Sequence, residues 1–197
     1  MPKNVATYAR TYIDKFQPRS PLPPSQPRPL RIGYASHCFR HHSVGWLARW
    51  IYEYHDRQNF QIFTYFVATP PIADSLQQWY HNRSDGTYFP SSKGTGEEIF
   101  RMAERIYDDK IDILIDLDSL TLDGSCELMA LRAAPIQATW LGWDASSVPT
   151  IDYFIADPYV LPDDAQDYYH ETIWRLPQTY IAVEGFETAV PSLRRDR

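Results

Sequence analysis

Cysteine is scarce. The 197 residues contain only Cys38 and Cys126, too few for the disulfide framework that staples small secreted domains. The opening residues MPKNVATYAR carry no apolar run of the kind a secretory leader needs, so a reduced, cytoplasmic protein is the expectation. Positive charge is also short. Nineteen Lys and Arg stand against twenty-five Asp and Glu, a net charge of −6. No chain-wide positive field is available to hold a polyanion, and nucleic acid is not an expected partner. The basic run Arg194, Arg195, Asp196, Arg197 reads as a solvated chain end.

Glycine numbers eight, and none of it forms GxGxxG after a strand, GxSxG or a Walker loop. Classical dinucleotide, serine-hydrolase and P-loop chemistry are set aside by these absences. KGTG at 93–96 opens a helical pattern, but Glu97 and Glu98 follow at once and repel an anion. Long hydrophobic runs are missing too. The longest uncharged stretch, 58–73, is broken by Pro70 and Pro71 and is shorter than a membrane span. A membrane partner is not expected.

What is present is the material of a folded core, 44% hydrophobic and 15% aromatic. Sixteen prolines are distributed unevenly, with six of them between Pro18 and Pro29. Proline lacks the amide proton that helices and ladders use and holds the chain extended. The chain therefore divides into a short amphipathic helix within 1–16 (Val5, Tyr8, Tyr12, Ile13, Phe16), a proline-rich linker over 17–29, a folded lobe over 30–183 and a tail over 184–197.

Within the lobe, strand and helix patterns alternate. LRIGYAS (30–36) reads as a strand, followed by a helix with Ser43 as N-cap and a buried stripe of Leu47, Trp50, Ile51 and Tyr54. FQIFTYFVA (60–68) is a second strand, and a helix is expected over 72–81. Thr95 and Glu98 make a capping box for a helix with Ile99, Met102, Ala103, Ile106 and Tyr107 on one face. IDILIDL (111–117) runs nearly without a polar break, as a parallel strand buried on both faces does. A short helix over 124–132 and strands IQATWLG (136–142) and DYFIAD (152–157) continue the alternation. The expected fold is α/β, with a mainly parallel sheet and helices on both faces.

Open parallel sheets bind ligands beyond the carboxyl ends of their strands, so the loops SHCFRHHSVG, DSLTLDG and WDASSVPT are where chemistry belongs. His37, Cys38, His41 and His42 crowd the first. A structural zinc site joins ligand pairs from separated segments, and no second pair follows, so no metal is expected. A histidine at the mouth of the sheet is suited to orienting or deprotonating a ligand hydroxyl, and His42 is the candidate; His37 and His41 read as surface or capping residues. Asp116, Asp118 and Asp123 lack the pattern of a calcium loop and read as turn residues at a strand end, with Asp123 capping the next helix.

LRIGYASHCFRHHSVGWL, HDRQNFQIFTY, IDILIDLDSLT, ALRAAPIQATWLGW, DYFIAD and YHETIWRLPQTY, taken together and in this order, resemble the catalytic region of glycosyltransferase family 41, the protein O-GlcNAc transferase and SPINDLY family. The resemblance runs from about Leu30 to Tyr180. It implies the amino-terminal Rossmann-like lobe of a two-lobed, GT-B type enzyme that transfers sugar from a nucleotide sugar to a protein Ser or Thr hydroxyl in the cleft between lobes. It implies no cofactor beyond the nucleotide-sugar donor. By position, His42 matches the histidine proposed as the family's base, Thr121 the threonine of its G-x-T turn, and Leu141, Gly142 and Trp143 its WLGY segment beside donor sugar and diphosphate.

Three departures bear on activity. Cys38 stands where the family often has aspartate, and the GHT turn becomes Ser119, Leu120, Thr121. The pattern YPGTSG becomes Trp143, Asp144, Ala145, Ser146, Ser147, Val148, which loses both glycines and puts a carboxylate in a loop expected to face a diphosphate. Nothing in 181–197 encodes a second lobe. The expectation is thus a lobe that needs a second one, from further sequence or from a partner in a homo- or hetero-oligomer. The competing expectation is a non-catalytic interaction or regulatory module that kept this fold.

Overall fold

The computed structural model describes residues 28–91, 96–181 and 183. The helix expected within 1–16, nearly all of the proline-rich linker, the tail over 184–197, and Thr95 of the capping box lie outside the described residues.

Seven strands form one sheet in the order β3-β2-β1-β4-β5-β6-β7. They are β1 Leu30–Ser36, β2 Phe60–Phe66, β3 Gly86–Tyr88, β4 Ile113–Asp116, β5 Ile136–Thr139, β6 Tyr153–Ala156 and β7 Thr172–Arg175. Every pairing is parallel. The helices are α1 Ser43–Tyr54, α2 Ser75–Arg83, α3 Gly96–Asp108 and α4 Asp123–Ala130, with single 3-10 turns at Ser119–Thr121 and Asp163–Tyr168.

Two cores cover the two faces. On one, Ala35, Tyr65 and Leu114 meet Ile99, Met102, Ala103 and Ile106 of α3 and Leu128 and Met129 of α4. On the other, Ile32, Tyr34, Ile62 and Phe66 meet Ala48 and Tyr52 of α1 and Leu76 and Tyr80 of α2. Alternation along each strand feeds the two layers, so neighbouring residues such as Tyr34 and Ala35 serve opposite cores.

Helix α3 buries the face its period predicts. Its Glu98 is buried and accepts from the Ser91 backbone N–H at 3.0 Å and hydroxyl at 2.5 Å.

Helix α1 differs from the sequence expectation. The N-cap is His42, not Ser43: its backbone is extended and its ring accepts from the Val44 N–H. The buried stripe is Gly45, Ala48 and Tyr52, with Tyr54 at 68% exposure. Small residues won that face because the helix comes close: a Cβ on Gly45 would stand 2.4 Å from the Arg40 carbonyl oxygen and 2.5 Å from that of Cys38. Asp123 is likewise the first residue of α4 rather than its cap. Leu122 holds the cap position without a side-chain bond.

The strand order has a functional consequence. From β1 the chain builds outward to β2 and β3, then crosses back to β4 on the other side of β1 and continues to β7. The carboxyl ends of β1 and β4 therefore form the switch point, the place where open parallel sheets hold their ligands.

Candidate active site

Asp118, just past β4, is the hub of the switch point. It is buried, and its Oδ1 accepts from the Ser36 hydroxyl at 2.6 Å. Its Oδ2 accepts from the His37 N–H at 2.8 Å, the Ser125 hydroxyl at 2.9 Å and His37 Nδ1 at 2.9 Å. The single carboxylate thus ties the β1 loop to α4.

Two residues earlier, Asp116 accepts from the N–H groups of Asp118 (3.0 Å) and Ser119 (2.8 Å), which is the turn chemistry its position suggests. Burial, and then the charge of Asp118, push its carboxyl well above the usual carboxylate range.

The β1 loop wraps round this hub. His37, which sequence alone assigns to the surface, is pushed up to about 10, first by its bond to Asp118 and then by Cys38. The buried Cys38 Sγ lies 3.4 Å from His37 Nε2, 3.6 Å from His37 Nδ1 and 3.8 Å from His42 Nε2. His37, Cys38 and Asp118 each place a potential ligand atom within 4.8 Å of the others. His41 serves structure instead: its Nδ1 and backbone N–H meet Asp74 Oδ2 at 2.9 and 3.0 Å, and Asp74 caps α2.

The His42 ring is held by its Nδ1, which accepts from the Val44 N–H at 3.2 Å. Burial, followed by the charges of Arg40 and His37, lowers its pKa. In the neutral ring the Nδ1 lone pair is committed to the helix, so Nε2 carries the proton and presents a donor. That is the chemistry of a group that orients a ligand oxygen rather than one that abstracts a proton.

The other expected site residues gather nearby, with different exposures. Thr121 closes the turn after β4, its N–H and hydroxyl both on the Asp118 carbonyl at 3.1 and 2.5 Å. Gly142 packs on the same turn: a Cβ there would be 2.5 Å from Ser119 Cβ and 2.7 Å from the Asp118 carbonyl carbon. Leu141 packs at the edge of the core with φ 63, and Trp143 stands 67% exposed.

Ser119, in place of the glycine of the resembling turn, has φ 49, and Ser147 in the next loop has φ 54. Both occupy the left-handed region that favours glycine. Asp144 is exposed and takes the Tyr169 hydroxyl on Oδ1, and the Ala145 N–H at 2.8 Å. Those bonds hold its carboxyl below the usual range, so it stays ionised. Below that loop, the buried Glu171 accepts from the Ser146 N–H at 2.9 Å and from its hydroxyl. Asp118 and Glu171 were not legible as site residues; only Asp118 carried a signal, its place at the end of an uninterrupted buried strand.

A parallel sheet with helices on both faces and a topological switch between β1 and β4 defines a Rossmann-like α/β lobe. The family model for glycosyltransferase family 41 matches residues 14–194, and the chain belongs to that family. It is 32% identical over 165 residues to the probable UDP-N-acetylglucosamine–peptide N-acetylglucosaminyltransferase SPINDLY of Oryza sativa subsp. japonica, a match covering 83% of this chain and 18% of that protein. The Caenorhabditis elegans UDP-N-acetylglucosamine–peptide N-acetylglucosaminyltransferase is 32% identical over 162 residues, covering 77% of this chain and 13% of its own length. A solved mutant of the Thermobaculum terrenum O-GlcNAc transferase superposes with a TM-score of 0.71 at 30% identity, covering 90% of this chain and 34% of that one. The chain thus spans about a fifth or less of the length of these curated relatives. Among the described residues, no helix is long and apolar enough to cross a membrane.

Proposed function

We propose that this chain is the amino-terminal lobe of a protein glycosyltransferase of the O-GlcNAc transferase and SPINDLY kind. In this reading it moves a sugar from a nucleotide-sugar donor to a Ser or Thr hydroxyl of a protein acceptor once a second lobe closes the cleft. The observation that carries the reading is His42: a ring fixed by helix α1 at the β1/β4 switch point, neutral near pH 7, with Nε2–H directed away from the helix bond. Its role is to orient the sugar or acceptor oxygen. Thr121, Leu141, Gly142 and Trp143 would border the donor, which is a substrate and not a resident cofactor.

The test supplies a family second lobe and measures transfer from UDP- and GDP-sugars to a peptide. His42→Asn keeps an acceptor for the Val44 N–H but loses the Nε2 donor. Abolished transfer with unchanged unfolding is the expected result, and full transfer by that variant removes His42 from the mechanism.

Asp144 supports a second reading, a non-catalytic protein-binding module in a reducing, cytoplasmic setting. Its ionised carboxyl sits in the loop that would face the diphosphate, and a unit charge about 4 Å from another costs about 1 kcal/mol in water. Asp144→Asn is expected to tighten UDP-sugar binding by about fivefold in a calorimetric titration at low salt. If neither form binds any nucleotide sugar with the second lobe present, the module reading replaces the transferase reading.

A further inference from the structure

The β1 loop alone lacks the second ligand segment that a zinc site needs, but the fold supplies one. Asp118 follows β4, 82 residues from Ser36 in sequence, and its carboxylate bonds the His37 ring and lies within 4.8 Å of the Cys38 sulfur. We propose that His37, Cys38 and Asp118 form a binding site for Zn²⁺, with the fourth position left to a water molecule. The inference goes beyond the transferase reading and stands or falls without it, because it concerns metal binding alone.

Four observations converge on this site. The donor set is thiol, imidazole and carboxylate, which suits a borderline-soft divalent ion and is unsuited to Mg²⁺ or Ca²⁺, which take oxygen ligands. The spacing also fits. Tetrahedral zinc with bonds of about 2.3 Å to sulfur and about 2.0–2.1 Å to nitrogen puts neighbouring S and N ligands about 3.5 Å apart. Cys38 Sγ lies 3.6 Å from His37 Nδ1 and 3.4 Å from Nε2.

The remaining two observations concern preorganisation and access. Asp118 is held by Ser36, Ser125 and the His37 backbone N–H, so only its bond to His37 Nδ1, 2.9 Å long, must give way to the ion. Cys38 and Asp118 are buried, while the His37 side chain is 26% exposed and offers an entry path. Three protein ligands leave a fourth position for water or a ligand oxygen, and the His42 Nε2–H, 3.8 Å from Sγ, stands near enough to donate to it. On binding, the Cys38 thiol and the imidazole of His37 each release a proton to solvent and their lone pairs form the bonds to zinc, with no change of oxidation state.

The experiment titrates Zn²⁺ into the reduced 197-residue chain against a chromophoric chelator, and Co²⁺ in parallel to read the ligands by absorption. One equivalent should bind, and the Co²⁺ form should show a thiolate-to-metal charge-transfer band with tetrahedral visible intensity. Cys38→Ser should abolish that band and weaken Zn²⁺ binding by about 100-fold, at the upper end of what losing even an outer-shell partner costs. Cys126→Ser, whose buried thiol lies on α4, should change neither.

His37→Ala is the second variant, because its partly exposed side chain can be truncated with the least risk to folding, and it should also lose Zn²⁺. Absence of binding, a Co²⁺ spectrum without a thiolate band, or a Cys38→Ser variant that binds as tightly as the parent would each overturn the proposal.

Discussion

The loops after β1 and β4 and the loop after β5 border the same switch point but are built in opposite ways. In the first pair, buried Asp118 gathers four donors from two segments, and every group at the site is held by another. In the second, Leu141 and Ser147 take left-handed backbone, Trp143 is exposed, and among the described residues the Asp144 carboxylate is tied only by Tyr169 and its own neighbour. The first pair is preorganised for ligand chemistry. The second has given up the conformational freedom and neutrality that an anion-facing loop needs.

If Asp118 is the hub, its removal should be the most damaging change. Asp118→Ala leaves buried donors from Ser36, His37 and Ser125 without an acceptor and should cost about 3–5 kcal/mol in urea unfolding; a loss below about 1 kcal/mol would dissolve the contrast. Gly142→Ala probes where the two regions touch. Its Cβ would overlap the backbone of Asp118 and the side chain of Ser119, so a loss of about 1–3 kcal/mol is expected, and a neutral result would mean that the β5 loop moves freely.

A third experiment sets the baseline that both regions share. Burial lowers His55, beside the Tyr34 hydroxyl at 2.8 Å, from 6.5 to about 4. The unfolded chain then binds the proton first, so the stability this neutral ring contributes is fully present above pH about 6.5 and lost as pH falls through about 4. With the ring partly solvated, the loss should be about 1–2 kcal/mol. His55→Gln should flatten that acid slope, and an unchanged slope would remove His55 as its source.

The smallest effect should come from Ser119→Gly. Relief of the left-handed φ should stabilise by about 0.5–1 kcal/mol, measured by thermal unfolding against Ser119→Ala, which keeps the strain and should bring no gain.

Much of the scaffold is written in local pattern. The burial of α3 follows from the spacing of Ile99, Met102, Ala103 and Ile106, and β1 and β2 appear as apolar runs ending at turns. Helix α1 shows where the pattern misleads. Gly45 and Ala48 carry little hydrophobic signal, yet both are buried, Gly45 because the helix backbone passes close to the carbonyls of Cys38 and Arg40 in the loop after β1. Strands β3 and β7, three and four residues long, are too short for a period of two to show. At the site, the end of a strand and the start of a helix bracket His37, His41 and His42 alike, and only the family resemblance singles out His42. Asp118 was not legible, since its importance lies in partners from a segment distant in sequence.

The pairing of β1 with β4 also governs how the chain reaches this state. Strands β1 to β3 lie next to one another in sequence order, but the centre of the sheet closes only when Ile32–Ala35 meets Ile113–Asp116. Ordering the intervening loop comes before any reward from that contact, so folding should be slow for a domain of this size. The same docking step brings Ser36 and His37 onto Asp118. Formation of the switch point and completion of the fold are therefore one kinetic event, and a chain arrested before it would hold helices and a partial sheet but no site.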